Sequence, residues 1–317
     1  MSIDRVATNT QSQVMIQQIM QDSAALNTTQ AQVASGKVST TYAGIGDKTA
    51  ALEAAQTASD RTTAYQAATT LALNQTNLQD SQLSSLSDLA NQWRQDITQA
   101  VGSGDASTLM TQAQSVYQQA TQILNSQDAN GNYLYGGDNN DTPPVSAATL
   151  SDLQALPSAA AAFANGSKAS SVQVADGQTV QVGVLASDAG AQLLQSLKDV
   201  ADFNAGASGN FGTTLSTAQS TFLSGAIGSA TSAATAVNNV AAANGENYSQ
   251  LQDASATQTS MSTLYQGFVS DIQDVDMGTA VTNLNQQQVA LQAALQVTAQ
   301  LNQVSLLNYL APATSSG

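Results

Sequence analysis

Histidine and cysteine are both absent from the 317-residue chain. Without them there is no imidazole base, no thiolate nucleophile and none of the ordinary zinc, copper or haem ligands. A Ser-His-Asp triad is excluded, and so is a disulfide framework. No Gly-x-Ser-x-Gly elbow and no phosphate loop of the Walker type occurs. Positive charge is scarce: 7 Lys and Arg stand against 22 Asp and Glu, a net charge of −15. Arg5, Lys37, Lys48, Arg61, Arg94, Lys168 and Lys198 are scattered and build no stripe of the kind that nucleic acid requires. The acidic balance also disfavours anionic membrane surfaces. No apolar run reaches the roughly 18 residues of a membrane-spanning helix. The first twenty residues lack a basic n-region and an apolar h-region, so they do not read as a secretory signal. The expectation is a cytosolic protein, or one exported by a route that needs no such signal, with no cofactor and no enzymatic activity.

What the chain does have is Ala, Gln, Ser, Thr and Asn, with Leu, Ile and Val spaced periodically among them. Met15, Ile19, Leu26 and Val33 fall in a narrow arc at about 100° per residue, a seam rather than a broad face, which predicts a helix over 8–34. Gly36 supplies its C-cap. A second helical region spans about 48–101, clearest at Leu83, Leu86, Ala90, Trp93, Ile97 and Val101. After a turn at Gly102–Asp105, Leu109, Ala113, Val116, Ala120 and Ile123 mark a third helix, antiparallel to the second. Then the pattern changes. Tyr133-Leu134-Tyr135 reads as a short strand, and Pro143-Pro144 closes the helical part. Val172 and Val174, then Val180, Val182 and Val184, alternate on either side of Asp176-Gly177, a hairpin signal. Helix returns at 191–203 and again from Leu215, with an interruption expected at Asn244-Gly245. From Met277 to Leu310 the apolar residues form two stripes, one through Met277, Val281, Leu284, Leu291 and Leu295, the other through Val289, Ala293, Val297, Val304 and Leu307. No charged side chain follows Asp276. Such a helix is covered on several sides, and neighbouring subunits could supply the second cover.

Candidate chemistry is thin. Asp138-Asn139-Asn140-Asp141 resembles the start of a calcium loop but lacks the downstream bidentate Glu, so a turn beside Pro143 is the plainer reading. Asp271, Asp274 and Asp276 are acidic neighbours without a partner group for acid–base work. Trp93 sits at core spacing, which favours packing over ligand stacking. An enzyme would need convergent ionisable groups, and the 133–187 segment offers Asp138, Asp141, Asp152, Lys168 and Asp176.

Three C-terminal stretches, Asp274-Val-Asp-Met277, Asn283-Leu-Asn-Gln-Gln-Gln-Val-Ala-Leu-Gln292 and Leu306-Leu-Asn-Tyr-Leu310, together resemble the C-terminal signature of bacterial flagellins and of the related hook–filament junction proteins. Val33-Ala-Ser-Gly-Lys37 looks like that family's first helix end. Asn130-Gly-Asn-Tyr-Leu-Tyr-Gly-Gly137 is similar to a segment of the junction proteins (hook-associated protein type 3), where filament flagellins usually have another. The loop Val38–Gly46 departs from the basic, Asn/Asp-rich sequence usual in flagellins. The resemblance implies a mainly α, elongated helical bundle with paired N- and C-terminal helices and a small β-containing insertion. It implies a terminal coiled-coil assembly domain (1–40 with 277–317), a helical rod (41–132 with 188–276) and an outer domain (133–187). It implies a non-enzymatic subunit secreted through the flagellar type III apparatus to the hook–filament junction. The alternatives are a filament flagellin or, less well supported, a surface binding protein on a flagellin scaffold. Expected partners are identical subunits in a ring, a neighbouring hook-associated protein, flagellin and an export chaperone, with no nucleic acid and no membrane. The assembly residues so implied are Met15, Ile19, Leu26, Val33, Leu284, Val289, Leu291, Leu295, Val297, Leu301, Val304 and Leu307.

Overall fold

The computed structural model describes the backbone of residues 2–310 and the side chains of residues 10–300. The fold is mainly α. Seven α-helices are described: α1 (Ser2–Ser35), α2 (Thr49–Ser103), α3 (Leu109–Leu124), α4 (Leu150–Ala155), α5 (Ala186–Ala205), α6 (Thr217–Gln273) and α7 (Met277–Leu310). The two described strands, β1 (Ser171–Ala175) and β2 (Gln178–Gln181), form one antiparallel hairpin. At 1.5 Å per residue, α2 and α6 are each roughly 80 Å long. The chain divides into two compact units, 61–261 and the paired segments 1–60 and 262–317.

The unit 61–261 holds the main hydrophobic cluster. Leu83, Leu86, Ala90, Trp93 and Ile97 of α2 are buried with Leu109, Ala113, Val116 and Ala120 of α3, as the 3-4 spacing predicts; at the helix ends Val101 and Ile123 are only partly buried, and Leu124 takes the buried place on α3. Leu193, Leu194, Leu197 and Val200 of α5 join them. From α6 come Leu223, Ala226, Ala230, Ala233 and Val237, an alanine-rich seam that lets backbones approach closely. Trp93 is a core residue whose indole Nε1–H donates to Ser196 Oγ at 3.0 Å. Tyr117 Oη–H donates to the Ala147 carbonyl at 2.6 Å. Burial, reinforced by the charge of Asp152, pushes its phenol up to about 12.

Farther along the same two helices the seam turns polar. Thr69, Thr76 and Gln79 of α2 and Asn244 and Gln258 of α6 occupy buried positions at the same heptad spacing. Their amides reach backbone or hydroxyl acceptors, as buried polar groups must. Asn244 Nδ2–H donates to the Thr76 carbonyl at 3.0 Å, and Gln79 Nε2–H to the Leu134 carbonyl at 2.9 Å. Gln258 donates to both Thr69 Oγ1 and the Val174 carbonyl. The second of these bonds fastens the hairpin to the helices, where Val174, Val180 and Val182 pack on Ala72 and Leu251. At the hairpin tip Asp176 accepts from Arg61 at 2.8 Å and from Tyr65 Oη at 2.7 Å. The turn falls at Asp176-Gly177 as expected, with Gly177 at φ +72°.

Three local expectations are corrected. Tyr133–Tyr135 is not a strand: Tyr133 makes an isolated bridge to Gln127, and the chain then turns. Tyr133 and Leu134 send their N–H groups to Asn140 and Ser126 respectively, so no single neighbour offers a ladder. The interruption expected at Asn244-Gly245 does not occur, because α6 runs through it unbroken. Finally, α4 stands where no helix is predicted. It is announced by a capping box in which Thr149 Oγ1 accepts from Asp152 N–H and Asp152 Oδ2 accepts from Thr149 N–H.

Candidate assembly interface

The unit 1–60 with 262–317 is built on the packed pair α1 and α7. Gly36, at φ +69°, ends α1, and its N–H donates to the Gln32 carbonyl as a C-cap. At the other end Asp276 caps α7. Its carboxylate accepts from Thr279 Oγ1 (3.0 Å), Thr279 N–H (3.3 Å) and Gly278 N–H (2.9 Å). These bonds, led by the Thr279 hydroxyl, hold the Asp276 carboxyl below the usual range. Between the two caps the linkers hydrogen-bond to each other. Val38 N–H donates to the Gln273 carbonyl at 2.7 Å, Val275 N–H to the Gly36 carbonyl at 2.9 Å, and Lys37 bridges Asp274 antiparallel. This clasp fixes the register of the two helices. Because α1 runs into the clasp and α7 runs out of it, the pair is antiparallel.

One face of each helix turns inward. On α1 it carries Met15, Ile19, Leu26 and Val33, half-buried, with Thr29 buried among them. On α7 it carries Ala280, Leu284, Gln287, Leu291, Ala294 and Thr298, a strict 3-4 spacing. Leu295, placed by its stripe beside Leu284 and Leu291, is 50% exposed. It stands about 60° off the seam, with Ala294 in its place. The α7 seam is thus poorer than expected: small side chains alternate with leucine, and Gln287 Oε1 is buried without a hydrogen-bond partner. Such a layer contributes little to stability.

The outer faces leave large apolar side chains uncovered among Gln and Asn. Val289 is 66% exposed and Val297 45%, on the stripe expected to lie away from α1. Met277 and Val281 are exposed as well. On α1, Val14, Ile16 and Met20 flank the seam, and Met20 is 67% exposed. These three escape a reading that looks for the seam alone; their signal was the apolar residues left over after it. Tyr42, Leu264 and Phe268 add further exposed apolar surface to the same unit. Of the exposed large hydrophobic residues described, only Leu71, Leu78 and Met261 fall in 61–261, so this surface belongs to the terminal unit. The side chains of Leu301, Val304 and Leu307 lie outside the described residues.

Elsewhere, polar groups have structural roles. Asp138 accepts from Lys168 N–H in a turn, Asp152 caps α4, and Asp176 pins the hairpin. A groove of about 640 Å³ between α5 and α6 is lined by Asp199, Asp202, Phe203 and Phe222. Asp202 is paired with Lys198, and Asp199 accepts from Gln195. Among the described residues no three His, Cys, Asp or Glu side chains gather as a metal site, and no helix is long and apolar enough to cross a membrane.

Residues 227–310 match the family described as the bacterial flagellin C-terminal helical region. Over that stretch the chain is similar to bacterial flagellins. The match covers α6 from Ile227 onward, the 273–276 side of the clasp and all of α7, so the uncovered stripe of α7 is part of a flagellin-type region. The fold is shared with a solved structure titled a putative flagellar hook-associated protein from Vibrio parahaemolyticus. The two chains are 15% identical, with a TM-score of 0.57 over 71% of this chain and 97% of that one. The crystal structure of Bacillus cereus FlgL also aligns, at 15% identity over 77% of this chain and 98% of that one, with a TM-score of 0.37. No curated protein matches the sequence. The two terminal motifs of the flagellin resemblance, Val33–Lys37 and Asp274–Met277, meet in the clasp, Gly36 accepting from Val275.

Proposed function

We propose that this chain is a flagellin-family protein, a non-enzymatic structural subunit of the bacterial flagellum. In this reading it is an adaptor at the hook–filament junction, held there by packing of its terminal helices against neighbouring subunits. The observation that carries the reading is the apolar outer stripe of α7, through Val289 and Val297, in a flagellin-type region with no charge after Asp276. Burying one such Val or Leu against a neighbour stabilises by about 1.5–3 kcal/mol. Several per subunit, repeated around a ring, hold a tube together without salt bridges. An unpaired charge in that contact would be costly, which accounts for its absence. Met15, Ile19, Leu26, Val33, Leu284 and Leu291 align the pair, and Val289, Leu295, Val297, Leu301, Val304 and Leu307 meet the neighbours. Partners are other copies of the chain, a hook-associated protein on one side, flagellin on the other, and an export chaperone before assembly.

The junction role, rather than that of a filament subunit, is supported by the Asn130–Gly137 segment and by the hook-associated title of the Vibrio structure that shares the fold. A deletion strain separates the two. The junction role requires intact hooks, no filaments and flagellin released into the medium; hooks bearing normal filaments would refute it. At the interface itself, Val297→Asp should leave the purified chain as helical as the parent, because Val297 is already half exposed, and should abolish stable incorporation at the hook tip. Normal incorporation, followed by antibody labelling of hooks, would show that this stripe is not an assembly surface.

A further inference from the structure

Asn-Gly occurs three times in the chain, at 130–131, 165–166 and 244–245. It is the dipeptide in which the following backbone nitrogen most easily reaches the asparagine side chain, since glycine offers no Cβ obstruction. The structure treats the three differently. Asn244 is 1% exposed within α6, and its Nδ2–H donates to the Thr76 carbonyl. Asn165 is held from both ends of its amide. Nδ2 donates to the Gly166 carbonyl and Ser187 Oγ, Oδ1 accepts from Ser187 N–H, and the Gly166 nitrogen is itself committed to the Gly136 carbonyl at 2.8 Å. Asn130 is exposed at the tip of a turn, and its carboxamide interacts with the Asp128 carboxylate two residues back in the same turn. Gly131 is at φ +86° with nothing within 4 Å of the place a Cβ would occupy. Its N–H makes a longer turn contact, 3.1 Å, to the Asp128 carbonyl.

We infer that Asn130 is a site of spontaneous deamidation, with water as the co-reactant. The Gly131 backbone nitrogen, losing its proton to solvent, forms a bond to Asn130 Cγ. The Cγ–Nδ2 bond breaks, and Nδ2 leaves with an added proton as ammonia. Water then opens the resulting five-membered imide at one of its two carbonyls. Opening at one gives an aspartate in place of the asparagine, and opening at the other gives its isoaspartyl isomer, with one more backbone atom. The net change is one water consumed and one ammonia released, without oxidation or reduction. Either product puts a new carboxylate in a turn already organised by Asp128, whose Oδ1 accepts from the N–H groups of Asn130 (2.8 Å) and Asn132 (2.9 Å). The isomer also lengthens the span closed by Asp128 N–H to the Asn132 carbonyl and by Leu134 N–H to the Ser126 carbonyl. The turn that opens the Asn130–Gly137 segment therefore changes charge and backbone length with age.

The test is to hold the purified full chain in mildly alkaline buffer, natively and in urea, and to map peptides by mass over time. The native chain should gain a single mass unit at Asn130, split between aspartyl and isoaspartyl products, while Asn165 and Asn244 stay intact. In urea all three should convert. Asn130→Gln, at an exposed side chain in a turn, should leave the native map unchanged with time and the helical signal equal to the parent's. Conversion at Asn165 or Asn244 as fast as at Asn130 in the native chain would overturn the inference. So would an Asn130 that stays amidated natively while it converts in urea.

Discussion

Ser196 matters out of proportion to its size. It accepts the one indole N–H of the protein's single tryptophan, deep between α2 and α5. Ser196→Ala leaves that donor buried and unpaired, at an expected cost of about 1–3 kcal/mol. Urea unfolding followed by Trp93 fluorescence should show a lower midpoint at an unchanged slope. A titratable counterpart is Asp276. Its folded pKa lies below the unfolded value of about 3.9, so its stabilisation is fully present above that value and is lost as pH falls through the folded pKa. Asp105 and Asp128 are lowered in the same direction, Asp105 by the Ser107 N–H and hydroxyl and Asp128 by N–H groups of Asn132 and Asn130, so the readout must be local. Protection of the amides at 277–281, taken as exchange relative to the intrinsic rate at each pH, should fall on acidification below about pH 4. In Asp276→Ala that protection should be low at every pH; a fall in protection with acidification that survives the substitution would rule out the cap as its source.

At the level of elements, α6 is the instructive case. Gly225, Gly228 and Gly245 lower its helical propensity, and Asn244-Gly245 looks like a stop. Yet Asn244 turns inward to the Thr76 carbonyl, and that tertiary bond carries the helix through. Gly245 faces open space. Gly245→Ala should therefore stabilise the chain by up to about 1 kcal/mol, read as a higher urea midpoint. The same contrast decides what else was legible. The α2–α3 stripes and the Asp176-Gly177 hairpin could be read because periodicity and turn chemistry are local. Tyr133–Tyr135 could not, because β-prone residues form a strand only where a neighbour offers a ladder. The seam on α7 was off at Leu295 because a search for large apolar residues passes over Ala280, Gln287 and Ala294, which fill it. The clasp was invisible, since its bonds join backbone atoms far apart in sequence. Part of the uncovered surface, Val14, Ile16 and Met20 on α1, was hidden behind the stronger seam.

For the molecule as a whole, charge and apolar surface are divided between different parts of the sequence. Residues 61–261 carry 14 of the 22 acidic groups and four of the seven basic ones. The apolar outer faces belong to the other unit. Self-association through those faces has to overcome repulsion between acidic subunits, and salt screens that repulsion. Sulfate also strengthens apolar burial. The purified chain should accordingly stay monomeric at low ionic strength and self-associate as ammonium sulfate is raised, measured by sedimentation velocity. Dissociation by salt would mean that ion pairs, not apolar contacts, hold the copies together. The clasp has a topological corollary. Two backbone bonds near Gly36 and Val275 make the path between them a closed excursion whose ends always return to one point. For a flexible excursion, closure costs only about 0.6 kcal/mol more for each doubling of length. The exposed bend at 206–210 is thus a graft point. A foreign domain spliced there alters the itinerary of the chain while the pairing of its two arms, set locally by four residues, is left as it was.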